Sequence, residues 1–392
     1  MEKEGIPQEK IDSVISHLSN GKFQEALEQT SILKQKYPDE AKLSNINGVC
    51  FQGLGQFKTA VEHYKQAISL NPNYYKAHYN LGGVFHELGK LNLAVKSFEI
   101  TLSLKPDYAE AHNNIGNVFK ELGQFGNAIK SFKKAIVINP KYVAAHYSLG
   151  NSYQELSNIE AAIISYEKAL EINPDIAKLH NNLGVIYQGI GKINSAKEHL
   201  EDAVRIMPDF IEAHNNLGNI FEELNNLNKA KKCYKNVLAI NPDSAGGYFN
   251  IGKVFQKQKQ FKSAIKSYEK TLSINPNYAN THLNLGNIFQ DMGQLDKAVD
   301  NYQKAIKIKK DDDEAYYELG MAFNQLGKLD MSIESYEKAL YINPKFGDAH
   351  NSLGNIFNQA GQIEKALKSY EKALSINPEH AEVYFNLGNL ML

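Results

Sequence analysis

Residues 213–242 read AHNNLGNIFEELNNLNKAKKCYKNVLAINP, and the residues of this stretch return at a fixed interval along nearly the whole chain. Its proline, Pro242, belongs to the series Pro38, Pro72, Pro106, Pro140, Pro174, Pro208, Pro242, Pro276, Pro344 and Pro378, stepped by 34 with Lys310 at the one miss. Its glycine, Gly218, belongs to a second series of the same step that runs from Gly48 to Gly388. A period of this length marks a repeat array rather than separate globular domains. With each proline at position 32, units begin at 7, 41, 75, 109, 143, 177, 211, 245, 279, 313 and 347. The expected organisation is a tail at 1–6, a degenerate capping unit at 7–40, ten regular units over 41–380, and at 381–392 the first helix of an incomplete twelfth unit.

Each unit carries helical spacing twice. In the unit starting at 75, Leu81, Gly82, Phe85 and Leu88 form one stripe, and Leu91, Ala94, Val95, Phe98 and Leu102 form another after Gly89-Lys90. The spacing predicts two antiparallel helices per unit, joined where a left-handed residue such as Gly89 closes the first. Ser157, Asn225 and Lys259 replace that glycine elsewhere and predict strained or looser turns. Small residues such as Ala94 and Ala230 mark the helix crossing. The mid-helix glycine costs about 0.5–1 kcal/mol against alanine. Close approach of an aromatic ring (Tyr64, Phe98, Phe132, Tyr166, Tyr234, Tyr268, Tyr302, Tyr336, Tyr370) is the expected offset.

This pattern of Leu-Gly, aromatic, Ala, aromatic and Pro over 34 positions resembles the tetratricopeptide repeats, and the resemblance spans all but the two ends. It implies an all-α, right-handed α-α superhelix of antiparallel helix pairs, used as a binding surface for proteins. The first unit departs from the pattern, with Val14 for glycine and Thr30 for the aromatic, as a terminal cap would.

Composition narrows the function. The 392 residues are 43% hydrophobic and 22% charged, and no stretch is long and apolar enough for a bilayer span. Met1-Glu2-Lys3-Glu4-Gly5 lacks the basic-then-apolar order of a secretory signal, so a cytoplasmic location is expected. Lys and Arg total 43 against 44 Asp and Glu, which leaves no global basic field for nucleic acid. Seven of the twelve histidines, His78, His112, His146, His180, His214, His282 and His350, share one repeat position and read as packing. Ligand distances near 2.1 Å to one ion do not suit helices roughly 8–10 Å apart, so no metal is expected. Cys50 and Cys233 lie in units too distant to pair and sit in no catalytic motif. The run from Gly184 to Gly189 mimics a phosphate loop, but Ile190 stands where lysine is required. No catalytic residue and no cofactor is expected; the non-repeat residues are too few for an enzyme domain.

The informative surface is a stripe of the first helix. At about 100° per residue, positions 2, 6, 9 and 13 fall on one side and packing positions 4, 7, 8 and 11 on the other. Asparagine dominates the free stripe: Asn80, Asn114, Asn182, Asn216, Asn250 and Asn284 at position 6, and Asn117, Asn151, Asn219, Asn287 and Asn355 at position 9. A carboxamide both donates and accepts, so a ladder of them suits the backbone of an extended peptide; duplication with amide–amide bonding is the structural alternative. The ladder is similar to that in the superhelical arm of O-linked N-acetylglucosamine transferases. That resemblance implies a second reading, the substrate-recruiting N-terminal arm of a larger glycosyltransferase-like enzyme whose catalytic domain would lie beyond this chain. The basic clamp of chaperone-binding tetratricopeptide domains is absent, because position 5 holds no lysine. Glu87, Glu121, Glu155, Glu223 and Asp291 oppose Lys257 at position 13, so neutral to basic extended proteins or peptides are the expected partners. The apolar end Leu390-Met391-Leu392 adds self-association through a C-terminal edge as a further expectation.

Overall fold

The computed structural model describes residues 6–390. Residues 1–5 of the expected tail, and Met391 and Leu392 of the expected edge, lie outside the described residues. The described residues form 23 helices and no strand, in two compact units, 1–190 and 191–392.

The first unit contains α1 (Gln8–Ser19), α2 (Phe23–Lys36), α3 (Ala41–Gly53), α4 (Phe57–Leu70), α5 (Tyr75–Glu87), α6 (Leu91–Leu104), α7 (Ala109–Glu121), α8 (Phe125–Ile138), α9 (Val143–Glu155), α10 (Ile159–Ile172) and α11 (Ala177–Gly189). The second contains α12 (Ile193–Ile206), α13 (Ile211–Glu223), α14 (Leu227–Ile240), α15 (Ala245–Lys257), α16 (Phe261–Ile274), α17 (Ala279–Asp291), α18 (Leu295–Ile308), α19 (Asp313–Gln325), α20 (Leu329–Ile342), α21 (Gly347–Gln359), α22 (Ile363–Ile376) and α23 (Ala381–Leu390). In each unit odd helices pack against the even helices that follow them, as α5 does on α6 and α13 on α14. The even helix also packs on the next odd one, as in α6 on α7. This is the all-α superhelical class in which pairs stack on nearest neighbours.

Two kinds of punctuation set the pairing. At the turn within a pair, Gly89 takes φ +67° and the Lys90 N–H reaches back to the Phe85 carbonyl at 2.8 Å, satisfying a carbonyl left open by the helix end. Ser157, Asn225 and Lys259 hold φ +57°, +55° and +56° and keep the same return bond, at 2.9, 2.7 and 2.8 Å. These turns are strained rather than looser. Between pairs, Asn241 is extended (φ −129°, ψ 94°) because the following Pro242 ring disfavours the helical region. At the junction without proline, Lys309 has φ −120° and ψ 97°, so the backbone bends there as it does elsewhere. Asp312 supplies what proline does not: it is buried, accepts from the Ala315 N–H at 3.2 Å, and pairs with Lys309 at 3.2 Å.

The core follows from the glycine series. A Cβ on Gly48, Gly82, Gly116, Gly150, Gly218, Gly252, Gly286, Gly320 or Gly354 would lie 2.4–2.8 Å from the ring of the paired Tyr or Phe sixteen residues on. The rings themselves, Tyr64 through Tyr370, are fully buried or within 1% of it. In the first pair the sizes are exchanged: Val14 and Thr30 are both fully buried. At the far end of the second unit, Leu387 and Leu390 pack on the cluster around Tyr370, while Tyr384 and Phe385 of α23 are exposed.

Candidate functional site

The eleven asparagines of the free stripe are half-buried, apart from the exposed Asn219. In the first unit Asn80 Nδ2 donates to Asn45 Oδ1 at 3.0 Å and Asn114 Nδ2 donates to the Tyr79 hydroxyl at 2.9 Å. Asn250 Nδ2 makes the equivalent bond to Asn215 Oδ1 at 3.4 Å in the second. Position 6 therefore meets position 5 of the preceding repeat, 35 residues back. Asn182 lies half-buried on α11, and Asn117 accepts from Ser148 Oγ at 3.2 Å. Asn216 on α13 and Asn284 on α17 occupy the same register.

Position 9 meets the core instead. The Tyr166, Tyr234, Tyr302 and Tyr370 hydroxyls lie 2.6, 2.8, 2.8 and 2.7 Å from the side-chain oxygens of Asn151, Asn219, Asn287 and Asn355. Burial pushes these phenols up, and so keeps them protonated. These amides anchor a ring edge, a structural duty that periodicity alone did not reveal. Replacing Asn355 by alanine removes the one partner shown for the buried Tyr370 hydroxyl and should cost about 1 kcal/mol. Asn287→Ala should cost less, because Gln290 still accepts from Tyr302 at 2.8 Å. Thermal unfolding of the two variants ranks them, and an equal loss would refute the assignment.

One residue of this layer escaped sequence reasoning. Glu222, at a position where Gln52, Gln154, Gln188, Gln256 and Gln290 recur, is buried beside Lys257 at 2.7 Å and Lys253 at 3.6 Å. It accepts from the Tyr234 hydroxyl at 2.7 Å. Burial alone would raise its carboxyl; the Lys257 and Tyr234 hydrogen bonds and the Lys253 charge outweigh it and hold the group below the usual range. A phenol has one proton and a carboxylate only accepts, so Tyr234 donates to Glu222. The Asn219 amide must then turn its Nδ2 toward the phenol oxygen. The signal available in sequence was the charged departure from a glutamine column.

Glu318, at position 6 on α19, has the opposite fate. Burial first, and then the charges of Glu314 and Asp291, push its carboxyl up to about 7. The repeat histidines are bonded rather than ligating: Nε2 of His78, His112, His146, His180, His214 and His350 lies 2.9–3.2 Å from the carbonyl of the proline six residues before. His282 departs, with Nδ1 at 3.3 Å from Asn301 Oδ1. No group of three or more His, Cys, Asp or Glu among the described residues is placed to hold a metal ion. Cys50 and Cys233 are free and buried, and burial pushes both thiols up to about 11.

Comparison with known proteins agrees with this geometry. Matches described as TPR repeat cover residues 53–89, 82–123, 116–157, 257–293, 286–327 and 354–392. Matches described as tetratricopeptide repeat cover 143–176, 211–244 and 313–346, with others at 165–198 and 335–368. No curated protein matches the sequence. Among solved structures, the APC/C hetero-tetramer Cut9–Hcn1 is similar at TM-score 0.52 and 12% identity, over 97% of this chain and 89% of that one. YrrB, described as a TPR protein with an unusual peptide-binding site, aligns at TM-score 0.40 and 23% identity over 49% of this chain and 99% of its own. MamA aligns at 0.38 and 25%, over 42% and 95%. No described helix is long and apolar enough to cross a membrane. Helix pairs bearing a glycine notch and a ring, together with family matches over more than half of its length, make this chain a member of the tetratricopeptide repeat family.

Proposed function

We propose that the chain is a protein-interaction scaffold that holds extended protein segments against the asparagine-bearing faces of its first helices. The observation that carries this reading is that three position-6 amides are fixed and yet keep hydrogen-bonding capacity. Asn80, Asn114 and Asn250 each engage one donor with the preceding repeat and remain half-buried. Each carboxamide has two donors and two lone pairs, so every fixed amide keeps capacity for a peptide N–H or C=O. Preformed groups of this kind bind without first losing rotamer freedom. Backbone recognition leaves the ligand's side chains largely unread, which supports a broad partner range. The acidic stripe residues Glu87, Glu121 and Glu155 in the first unit, and Glu223 and Asp291 in the second, favour neutral to basic segments.

The test replaces Asn182, Asn216, Asn250 and Asn284 with alanine and compares quantitative capture of proteins from lysate with that of the parent chain. Capture is expected to fall at least about tenfold, while circular dichroism stays helical. Undiminished capture by the folded variant would reduce these amides to structural spacers.

A further inference from the structure

We propose a second binding site on the opposite side of the helix pairs: the groove over α7 between α6 and α8, which docks an acidic amphipathic helix of a protein partner. The groove encloses about 590 Å³, within the usual range of ligand-binding clefts. Leu102, Ile115 and Phe119 floor it, and Val137 and Ile138 form one wall. Lys130, Lys133 and Lys134 rim that wall, against a single Glu99 from α6.

Comparison between repeats makes this groove distinctive. Similar clefts recur over α13 and over α17, as the period requires, but their rims differ. The positions of Lys130, Lys133 and Lys134 carry Lys232, Lys235 and Asn236 beside the cleft over α13, and Asp300, Gln303 and Lys304 beside the cleft over α17. The fourth unit is the one in which all three are lysine, and α8 contains no acidic residue. The three lysines are exposed and form no salt bridge shown among the described residues; Lys133 lies over the Tyr153 ring. Val137 is 81% exposed, at a position that holds Ser69, Ser103, Ser273 and Ser375 in other units and the similarly exposed Tyr341 in the tenth. An exposed β-branched apolar residue beside three lysines with no salt bridge shown gains nothing in the isolated chain. It complements a helix that presents an apolar ridge flanked by carboxylates. The concavity of the site, with its apolar floor set between two helices, favours a helical ridge over a flat lipid surface.

The probes are fluorescein-labelled Leu/Glu amphipathic peptides about four turns long, with Leu/Lys counterparts of the same pattern, measured by anisotropy against the full chain. The Leu/Glu peptide is expected to bind saturably and to weaken with salt. Lys130→Glu/Lys133→Glu/Lys134→Glu should weaken it at least about tenfold, and Val137→Asp by a similar factor. Lys232→Glu/Lys235→Glu, on α14, should leave it unchanged. The proposal falls if the acidic peptide does not saturate, if the Leu/Lys peptide binds equally, or if Val137→Asp binds like the parent. Association with anionic phospholipid vesicles but not with the acidic peptide also overturns it, in favour of a membrane surface.

Discussion

Gly218→Leu is expected to destabilise the protein by about 3 kcal/mol, seen as a fall in melting temperature and lost amide protection in α13 and α14. The reason is steric. A Cβ at this site would lie 2.4 Å from Tyr234 Cε1 and 2.7 Å from Cζ. The ring cannot withdraw, because it is fully buried and its hydroxyl is held by Glu222. Leucine would add three further carbons to a contact that already excludes one. Adjacent glycines separate this packing cost from helix propensity. At Gly82 a Cβ would meet Phe98 Cε1 at 2.8 Å, whereas at Gly83 it meets nothing within 4 Å. Gly82→Ala should therefore destabilise, and Gly83→Ala should stabilise by about 0.5–1 kcal/mol, since both lie in the interior of α5. Two substitutions of equal sign would show that the notch does not govern the fold.

Glu318→Gln is expected to stabilise the protein by about 2 kcal/mol near pH 8 and by almost nothing near pH 4. Folding raises this carboxyl from its ordinary 4.5 to about 7, through burial and then the neighbouring Glu314 and Asp291 charges. The folded state therefore holds the proton more tightly than the unfolded chain. The stability linked to that proton is fully present below pH 4.5 and is lost as pH rises through 7. The full shift would correspond to more, and the smaller figure allows for screening of a group that still meets solvent. Chemical denaturation across this range measures the difference. A gain of the same size at both pH values would mean that Glu318 acts through shape and not through charge.

Much of the fold was legible because it is periodic. Proline before the next pair, a left-handed residue inside each pair and a glycine opposite a ring each act within one unit, so a single sequence exposes them. The substitutes Ser157, Asn225 and Lys259 were visible as exceptions, but their outcome was not. Their positive φ is enforced by return bonds whose strength the residue type does not encode. The stripe was legible as a location and less so as chemistry. That Asn80 engages Asn45 depends on stacking register between units, and that Asn219 reaches Tyr234 depends on the tilt between two helices. Glu222 shows the limit most sharply: in sequence it resembles any solvated helix charge, and only its burial beside Tyr234, Lys253 and Lys257 makes it part of the core.

The bonds between repeats have a mechanical consequence. Asn80 to Asn45 in one unit and Asn250 to Asn215 in the other each fasten a helix pair to the one just before it. Tension along such a chain passes through its interfaces in series, so the weakest link yields while the others stay closed. A protein built this way is expected to ravel from a pulled end and to rewind onto the part still folded.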